Sequence, residues 1–280
     1  HHAEGLREAL GPKPLCGGCG AKVGPAALRR ALNPASEGLP GDDAAILQTG
    51  GVQQIISTDH LRAMVEDPVV MTRIAAVHAL GDVWAMGARP QAATANLILP
   101  RLSPQLAERT LAEMLEAARD VLGAAGATLA GGHSTQGAEM TIGFTVTGLC
   151  DTPPITLAGG QPGDILILTK PIGTGVVMAA EMALEARGDW VAAALAHMQR
   201  PQAEAARHLR AAHAMTDVTG FGLAGHLANI CEASGTGAVL TLGAVPLLPG
   251  ALDLATRGVR SSLFPENRQA LPGIGTGQGG

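Results

Sequence analysis

The stretch Pro68–Leu99, PVVMTRIAAVHALGDVWAMGARPQAATANLIL, decides the fold class because its hydrophobic pattern changes half-way along. From Pro68 onward, residues of the apolar face recur every three or four positions, which predicts a helix: Met71, Ile74, Ala75, His78, Ala79 and Val83. The following segment, Gln91–Leu99, is strand-like. A helix and a strand this close together indicate mixed α and β structure.

The flanking sequence extends this pattern on both sides. Candidate strands precede the helix at Ala44–Gln48 and Val52–Thr58, and a short helix is expected at Pro25–Leu32. Pro104–Leu122 has the clearest amphipathic pattern, and strands are predicted at Thr128–Ala130 and Met140–Leu149. We therefore expect an N-terminal mixed sheet with helices covering one face, an α/β fold of the α+β type.

The segment Cys150–Asp164, CDTPPITLAGGQPGD, is the best candidate for a domain boundary because its Pro and Gly residues interrupt any periodicity. We predict two domains, residues 1–153 and 154–280. The second is expected to be α/β, with a strand at Ile165–Thr169, helices from about Val176, Val191 and Ala203, a helix at Phe221–Ala233 and a strand near Ala238–Leu242.

Composition excludes several classes of function. The chain of 280 residues is 46% hydrophobic with mean hydropathy +0.22, which excludes wholesale disorder. With net charge −5, no basic cluster larger than Arg29-Arg30, and only three Phe, two Trp and no Tyr, a nucleic-acid partner is not expected. The uncharged stretch Ala233–Leu252 is broken by Gly and Pro, so no membrane span is predicted. The opening HHAEGLREAL has no secretion signal, which favours a cytoplasmic location.

The cysteine-containing segment Cys16-Gly-Gly-Cys19-Gly-Ala-Lys22 is a candidate reactive loop. An ammonium such as that of Lys22 lowers the pKa of a neighbouring thiol and favours the nucleophilic thiolate. Its glycines allow backbone amides to approach an anion. A redox pair, half of a zinc site and a simple loop with incidental cysteines remain open alternatives.

Acidic residues lie at several turns and strand ends, at Asp42, Asp43, Asp59 and Asp217. Taken singly, each fits ordinary turn chemistry or a capped strand end. Asp82 is different, because a carboxylate inside an apolar helix is costly to bury without a partner. Several carboxylates of this kind suit Mg²⁺, which binds a few carboxylates together with water and substrate phosphates.

Three glycine-rich turns add to this interpretation: Ala130-Gly-Gly132-His133-Ser134, Thr169-Lys-Pro-Ile-Gly-Thr-Gly175 and Asp217-Val-Thr-Gly-Phe-Gly222. The last two lead into predicted helices, whose first backbone amides favour phosphate. The first precedes no helix and is not a dinucleotide fingerprint. Together with the carboxylates, the turns favour a site for phosphate and metal.

Seven segments, in order along nearly the whole chain, resemble the selenophosphate synthetase (selenide, water dikinase) family of the aminoimidazole ribonucleotide synthetase superfamily. They are CGGCGAKVG, GDDAAIL, STDHLRAMVEDP, RIAAVHALGDVWAMGARPQAA, LAGGHS, LTKPIGTGV and AMTDVTGFGLAGHL. The resemblance implies the two-domain fold of that superfamily. It also implies synthesis of selenophosphate from ATP, selenide and water, with release of AMP and phosphate.

The resemblance also implies roles for individual residues. Cys19 and Lys22 match the family's catalytic positions, and Asp43, Asp82 and Asp217 its magnesium-binding aspartates. The implied ATP-binding residues are Lys22, Asp42, Asp59, Asp82, Gly132, His133 and Ser134. Mg²⁺ is the implied cofactor, ATP and selenide are the substrates, and a homodimer is expected in which N-terminal sheets join into a barrel.

The sequence departs from the family pattern in three places. The family's CxC is a CxxC here, since Ala21 stands where some members have a second cysteine and Cys16 lies upstream. Gly41 replaces a polar or basic residue often found before the paired aspartates. The family continues past the region of Arg268 through an Asp-Pro-Gln-Thr-Ser-Gly-Gly motif, so the C-terminal domain is expected to be incomplete.

Two other classes of function remain open beside the enzyme. One is a non-catalytic nucleotide-binding or regulatory module, and a weaker one is a thiol-redox protein built on Cys16 and Cys19. Another ATP-dependent kinase or synthetase of the superfamily is the remaining alternative, although the loop from Cys19 to Lys22 disfavours it.

Overall fold

A computed structural model describes residues 42–269 of the chain. Cys16, Cys19, Lys22 and the expected helix at Pro25–Leu32 lie outside this range. The strands of the described part are β1 (Ala45–Thr49), β2 (Val52–Arg62), β3 (Arg89–Pro100), β4 (Thr128–Gly137) and β5 (Thr141–Cys150). The helices of the first half are α1 (Pro68–Ala85) and α2 (Pro104–Ala124). This confirms the mixed α/β class.

The five strands form one sheet in the order β1-β2-β5-β3-β4. All neighbours are antiparallel except β3 and β4, which are parallel and are joined by a crossover through α2. Alternate residues of β3 are buried, Ala93, Ala95, Leu97 and Leu99, as expected for a strand with one covered face.

Helix α1 lies at the centre of the molecule. Its start is fixed by Asp67, whose side chain accepts hydrogen bonds from the backbone amides of Val69 and Val70, and by Pro68 in the first turn. It packs against the sheet, α2 and helices of the second half. A helix in contact on several sides is apolar around most of its circumference, and this explains the buried residues of α1, such as Met71, Leu80 and Val83.

The second half is mainly helical in the described range. Its helices are α3 (Thr174–Met182), α4 (Gly188–Met198), α5 (Ala203–His208), α6 (Gly222–Ser234), α7 (Ala251–Thr256) and α8 (Phe264–Gln269), with a 3-10 turn at Leu242–Ala244. A smaller core joins α3, α4 and α7 around Val177, Met178 and Leu254.

Three local predictions differ from the structure. The predicted strands at Ile165–Thr169 and near Ala238–Leu242 form no ladder, and in residues 151–269 only an isolated bridge joins Ile172 to Leu247. An apolar, β-branched segment needs a partner strand to become one, and the side chains of Ile165 and Val239 are 86% and 92% exposed. The Gly132-His133-Ser134 segment was expected in a turn after a strand, but it lies inside β4, where pairing with β3 continues to Gly137. None of the helices in the described residues combines the length and apolar character needed to cross a membrane.

Candidate active site

Three aspartates from distant parts of the sequence meet at one point. Asp43 lies just before β1, Asp82 lies near the C-terminal end of α1, and Asp217 lies in the loop that leads to α6. One carboxylate oxygen of each lies within 4.8 Å of the others. The structure therefore brings together all three residues that were expected to bind metal.

The carboxylate of Asp43 is held by the segment that carries Asp217, through the hydroxyl of Thr216 and the backbone of Asp217. Its Oδ1 accepts a hydrogen bond of 2.9 Å from the Thr216 hydroxyl, while its buried Oδ2 has no hydrogen-bond partner among residues 42–269. Burial is the main reason that the pKa of Asp43 is raised to about 7, and the negative charges of Asp82 and Asp42 add to it. A cation beside Oδ2 would offset both effects by stabilising the charged form of the carboxylate.

Asp82, like Asp43, is a partly buried carboxylate with other negative charges beside it. Ser57 of β2 donates a hydrogen bond to its Oδ2. Burial raises the pKa of Asp82 to about 8, and the neighbouring charges of Asp217 and Asp59 contribute. Buried carboxylates that repel one another are an arrangement that a divalent cation stabilises, so the donor set fits Mg²⁺.

Asp59 lies beside this cluster, on the face of β2 that looks toward α1. Its Oδ1 is 3.5 Å from Nε2 of His78 in α1, an ion-pair distance without hydrogen-bond geometry. Because Asp59 contributes to the raised pKa of Asp82, it belongs to the same electrostatic site.

Asp42 contacts the segment that connects the two halves. Its Oδ1 accepts a hydrogen bond of 2.7 Å from the backbone amide of Leu157, in the segment that connects the two halves. Asp42 therefore joins the connecting segment to the residues that precede β1.

Gly132, His133 and Ser134 are exposed on β4, and the carboxylate cluster does not include them. Gly132 pairs with Ala95, Ala95 with Phe144, and Phe144 with Asp59, so Gly132 and Asp59 lie at the same level of the sheet. Three strand spacings of about 4.8 Å separate their backbones, roughly 14 Å in all.

A cleft of about 620 Å³ opens next to the cluster. It is lined by α1 at His78 and Gly81, by the Lys170–Gly175 turn and by the segment 215–220 that contains Asp217. Two of the three glycine-rich turns thus meet at one cavity. The ammonium of Lys170 donates to the carbonyl oxygens of His197 and Arg200, and burial lowers the pKa of this lysine to about 8.

Sequence reasoning did not find Ser57, Thr216, Lys170 or His226 as residues of the site. Ser57 and Thr216 lie inside segments that were quoted for the family resemblance, but a lone hydroxyl residue carries no signal of its own. His226 follows the Asp217–Gly222 turn and lies inside α6. A single histidine in a helix does not by itself indicate a role at a metal site.

Comparison with known proteins identifies the family. Residues 41–150 match the family model described as AIR synthase related protein, N-terminal domain, and residues 161–257 match the corresponding C-terminal domain. The selenide, water dikinase of Yersinia pestis is 38% identical over 258 residues, which are 86% of this chain and 73% of that protein. The chain belongs to the selenide, water dikinase family. The dikinase of Desulfitobacterium hafniense (strain Y51) is 39% identical over 274 residues, covering 92% of this chain and 78% of the relative.

The fold of this family member is also found in more distant proteins. The structure of thiamine monophosphate kinase from Aquifex aeolicus matches with a TM-score of 0.67 and 17% identity, over 88% of this chain and 81% of that one. This likeness confirms the two-part fold expected from the sequence.

Proposed function

We propose that this chain makes selenophosphate from ATP, selenide and water and releases AMP and phosphate. The observation that carries the proposal is the half-buried cluster of Asp43, Asp82 and Asp217 in a chain that belongs to the selenide, water dikinase family. A phosphoryl transfer from ATP requires a site that neutralises the triphosphate, and these carboxylates lie beside a cleft with glycine-rich turns.

Asp43, Asp82 and Asp217 are proposed to hold Mg²⁺. When bound, the ion would neutralise charge on the phosphates and on the phosphoryl group being transferred. The chain's own contribution is to keep these carboxylates in place. Ser57 holds Asp82 and Thr216 holds Asp43 by hydrogen bonds to one oxygen of each.

ATP binding is proposed to use Lys22, Asp42, Asp59, Asp82, Gly132, His133 and Ser134. Asp59 supports this because it adjoins the carboxylate cluster and is level with Gly132 across the sheet. The remaining positions rest on the family resemblance.

Selenide is proposed to be handled by Cys19, with Lys22 stabilising negative charge on the transferred phosphoryl group. A soft thiolate site suits a soft selenium nucleophile. Both residues lie outside the described range, so their roles rest on the motif alone.

The division into domains 1–153 and 154–280, a homodimer and a cytoplasmic location remain predictions. The homodimer rests on the family resemblance. The second face of the sheet carries polar side chains such as Thr58 and Thr145, which are hydrogen-bonded to each other. Helices α1 and α2 pack against each other and share the opposite face.

Phosphorus NMR of ATP turnover under anaerobic conditions, with and without selenide, tests the proposed function. We expect selenide-dependent formation of AMP and selenophosphate, and loss of both in Cys19→Ser and Lys22→Ala. Cys231→Ser and Lys13→Ala are matched controls that should retain activity. Bound ATP without AMP would instead indicate a nucleotide-binding module, and turnover indifferent to selenide would indicate another ATP-dependent enzyme of the superfamily.

A further inference from the structure

His226 connects the loop that carries Asp217 to the carboxylate of Asp43. It lies in the second turn of α6 and is only 7% exposed. Its Nε2 is 3.1 Å from the backbone nitrogen of Thr219, which donates to it. Its Nδ1 is 3.3 Å from the hydroxyl oxygen of Thr216.

The backbone amide determines where the imidazole proton lies. Because the Thr219 N–H donates to Nε2, that nitrogen is an acceptor and the proton of the neutral ring is on Nδ1. Nδ1–H therefore donates to the oxygen of Thr216, whose own proton then points to Asp43 Oδ1 at 2.9 Å. The same hydroxyl is farther, 3.4 Å, from the carbonyl oxygen of Asp217.

All hydrogen bonds in this series run in one direction, from the Thr219 amide through His226 and Thr216 to Asp43. Such a series polarises each member and fixes the orientation of the last acceptor. With Oδ1 of Asp43 occupied in this way, its Oδ2 is the oxygen left without a partner among residues 42–269.

We propose that His226 is a positioning residue for the metal site, acting through Thr216 to orient the carboxylate of Asp43 toward Mg²⁺. The inference rests on the proposed function in so far as Asp43, Asp82 and Asp217 bind the ion. Residues that hydrogen-bond to the ligands of a metal ion, as Thr216 and His226 do here, commonly affect the affinity of the site for the ion.

The two ring nitrogens have separable tasks. Nε2 accepts from Thr219 and holds the loop, whereas Nδ1 reaches the metal site through Thr216. His226→Gln places an amide near the position of Nε2 and keeps the contact with the loop, but it lacks a donor at Nδ1. His226→Asn does the opposite, since its amide nitrogen stands near the position of Nδ1.

The test is the dissociation constant of Mg²⁺, added as the chloride without nucleotide, from calorimetry and from the rise of the thermal unfolding midpoint with Mg²⁺ concentration. We expect His226→Gln to weaken binding about tenfold, the size of a lost hydrogen bond in a charged site, and His226→Asn to stay within about twofold of wild type. A purely structural histidine would give the reverse order, or an equal loss in both variants, and would overturn the proposal.

Thr216 provides a second test that leaves the histidine intact. Thr216→Val removes the hydroxyl and should weaken Mg²⁺ binding about as much as His226→Gln, while Thr216→Ser keeps the hydroxyl and should bind like wild type. The double variant Thr216→Val/His226→Gln should bind no more weakly than either single variant, because both interrupt one series. If the losses of Mg²⁺ affinity in the two single variants add up in the double variant, Thr216 and His226 do not act in one series.

The outcomes separate this proposal from the proposed function. A wild-type protein that binds no Mg²⁺ overturns the positioning role together with the metal site. A protein with the expected pattern of Mg²⁺ affinities but no selenide-dependent AMP overturns the proposed reaction and leaves the role of His226 standing.

Discussion

Gly81 in α1 lies directly against the carboxylate of Asp217. A β-carbon at position 81 would stand 2.8 Å from Asp217 Oδ2, closer than side chains approach one another. Because position 81 of α1 has no side chain, the carboxylate of Asp217 can occupy the space beside Asp82.

Gly81→Ala should displace Asp217 and weaken Mg²⁺ binding about tenfold or more, since metal sites tolerate little displacement of a ligand. The same change should not destabilise the metal-free helix, because Ala favours a helix interior by up to about 1 kcal/mol over Gly. The thermal unfolding midpoint in EDTA measures the stability of the metal-free protein, and its rise with added Mg²⁺ measures binding of the ion. Gly123→Ala in α2 is the matched control, since a β-carbon there meets nothing within 4 Å among residues 42–269. An equal loss of Mg²⁺ binding in both variants would contradict the prediction.

Asp82→Asn should abolish the stabilisation by Mg²⁺ and reduce turnover by at least about a hundredfold, if the carboxylate holds the ion that neutralises the triphosphate. In EDTA at about pH 8 the same variant should unfold at a higher temperature than wild type, because it removes a partly buried charge that Asp217 and Asp59 repel. Asp253→Asn, at an exposed position on α7, should change neither property. Unaltered Mg²⁺ binding in Asp82→Asn would remove Asp82 from the site.

The metal-free protein should lose stability as the pH rises. The pKa values of Asp43 and Asp82 are raised to about 7 and about 8, so the folded state holds protons that the unfolded state releases near pH 4. The contribution of these groups to the free energy of unfolding is therefore complete below about pH 4 and falls until about pH 8.

This prediction is checked by comparing wild type with Asp82→Asn in EDTA. The difference between their unfolding midpoints should be small at about pH 5 and larger at about pH 8. Mg²⁺ binds the deprotonated carboxylates, so its affinity for wild type should rise over the same range, by up to about tenfold per pH unit for each proton displaced. An affinity that does not change with pH would argue against a protonated cluster.

Gly132→Ala should destabilise the edge of the sheet. A β-carbon at 132 would lie 2.1 Å from the backbone oxygen of Ala95, in the parallel pairing of β3 and β4, and backbone cannot yield as a side chain does. We expect a loss of about 1–3 kcal/mol in the free energy of unfolding, measured with urea. Gly131→Ala is the control, since no atom of the described part of the chain lies within 4 Å of a β-carbon there. A weaker affinity for ATP in Gly132→Ala alone would support the proposed nucleotide role of this segment.

The sequence predicted elements well where the periodicity was long. α1 and α2 begin at the residues that the pattern and their prolines indicate, Pro68 and Pro104, and β3 covers the strand-like segment Gln91–Leu99. The strands predicted at Ile165–Thr169 and near Ala238–Leu242 were wrong for the described structure, because local β-propensity cannot supply a neighbouring strand.

The sequence predicted the charged residues of the site but not the residues that hydrogen-bond to them. An aspartate inside an apolar helix signals a cation or a partner, and the structure brings Asp82 together with Asp43 and Asp217. The hydroxyls of Ser57 and Thr216 and the ring of His226 gave no such signal. Their importance arises only when tertiary structure joins segments that are far apart in the sequence.

The hydrogen bond from Thr216 to Asp43 spans 173 residues of the chain. An ion held by Asp43, Asp82 and Asp217 would act as a reversible cross-link that closes this long loop, with the entropic benefit that loop closure brings against the unfolded chain. During synthesis the sheet and α1 emerge first with two of the three carboxylates, and Asp217 follows only with the second half. Docking of the second half thus completes the set of carboxylates, and affinity for the ion becomes a measure of how fully the two halves have assembled.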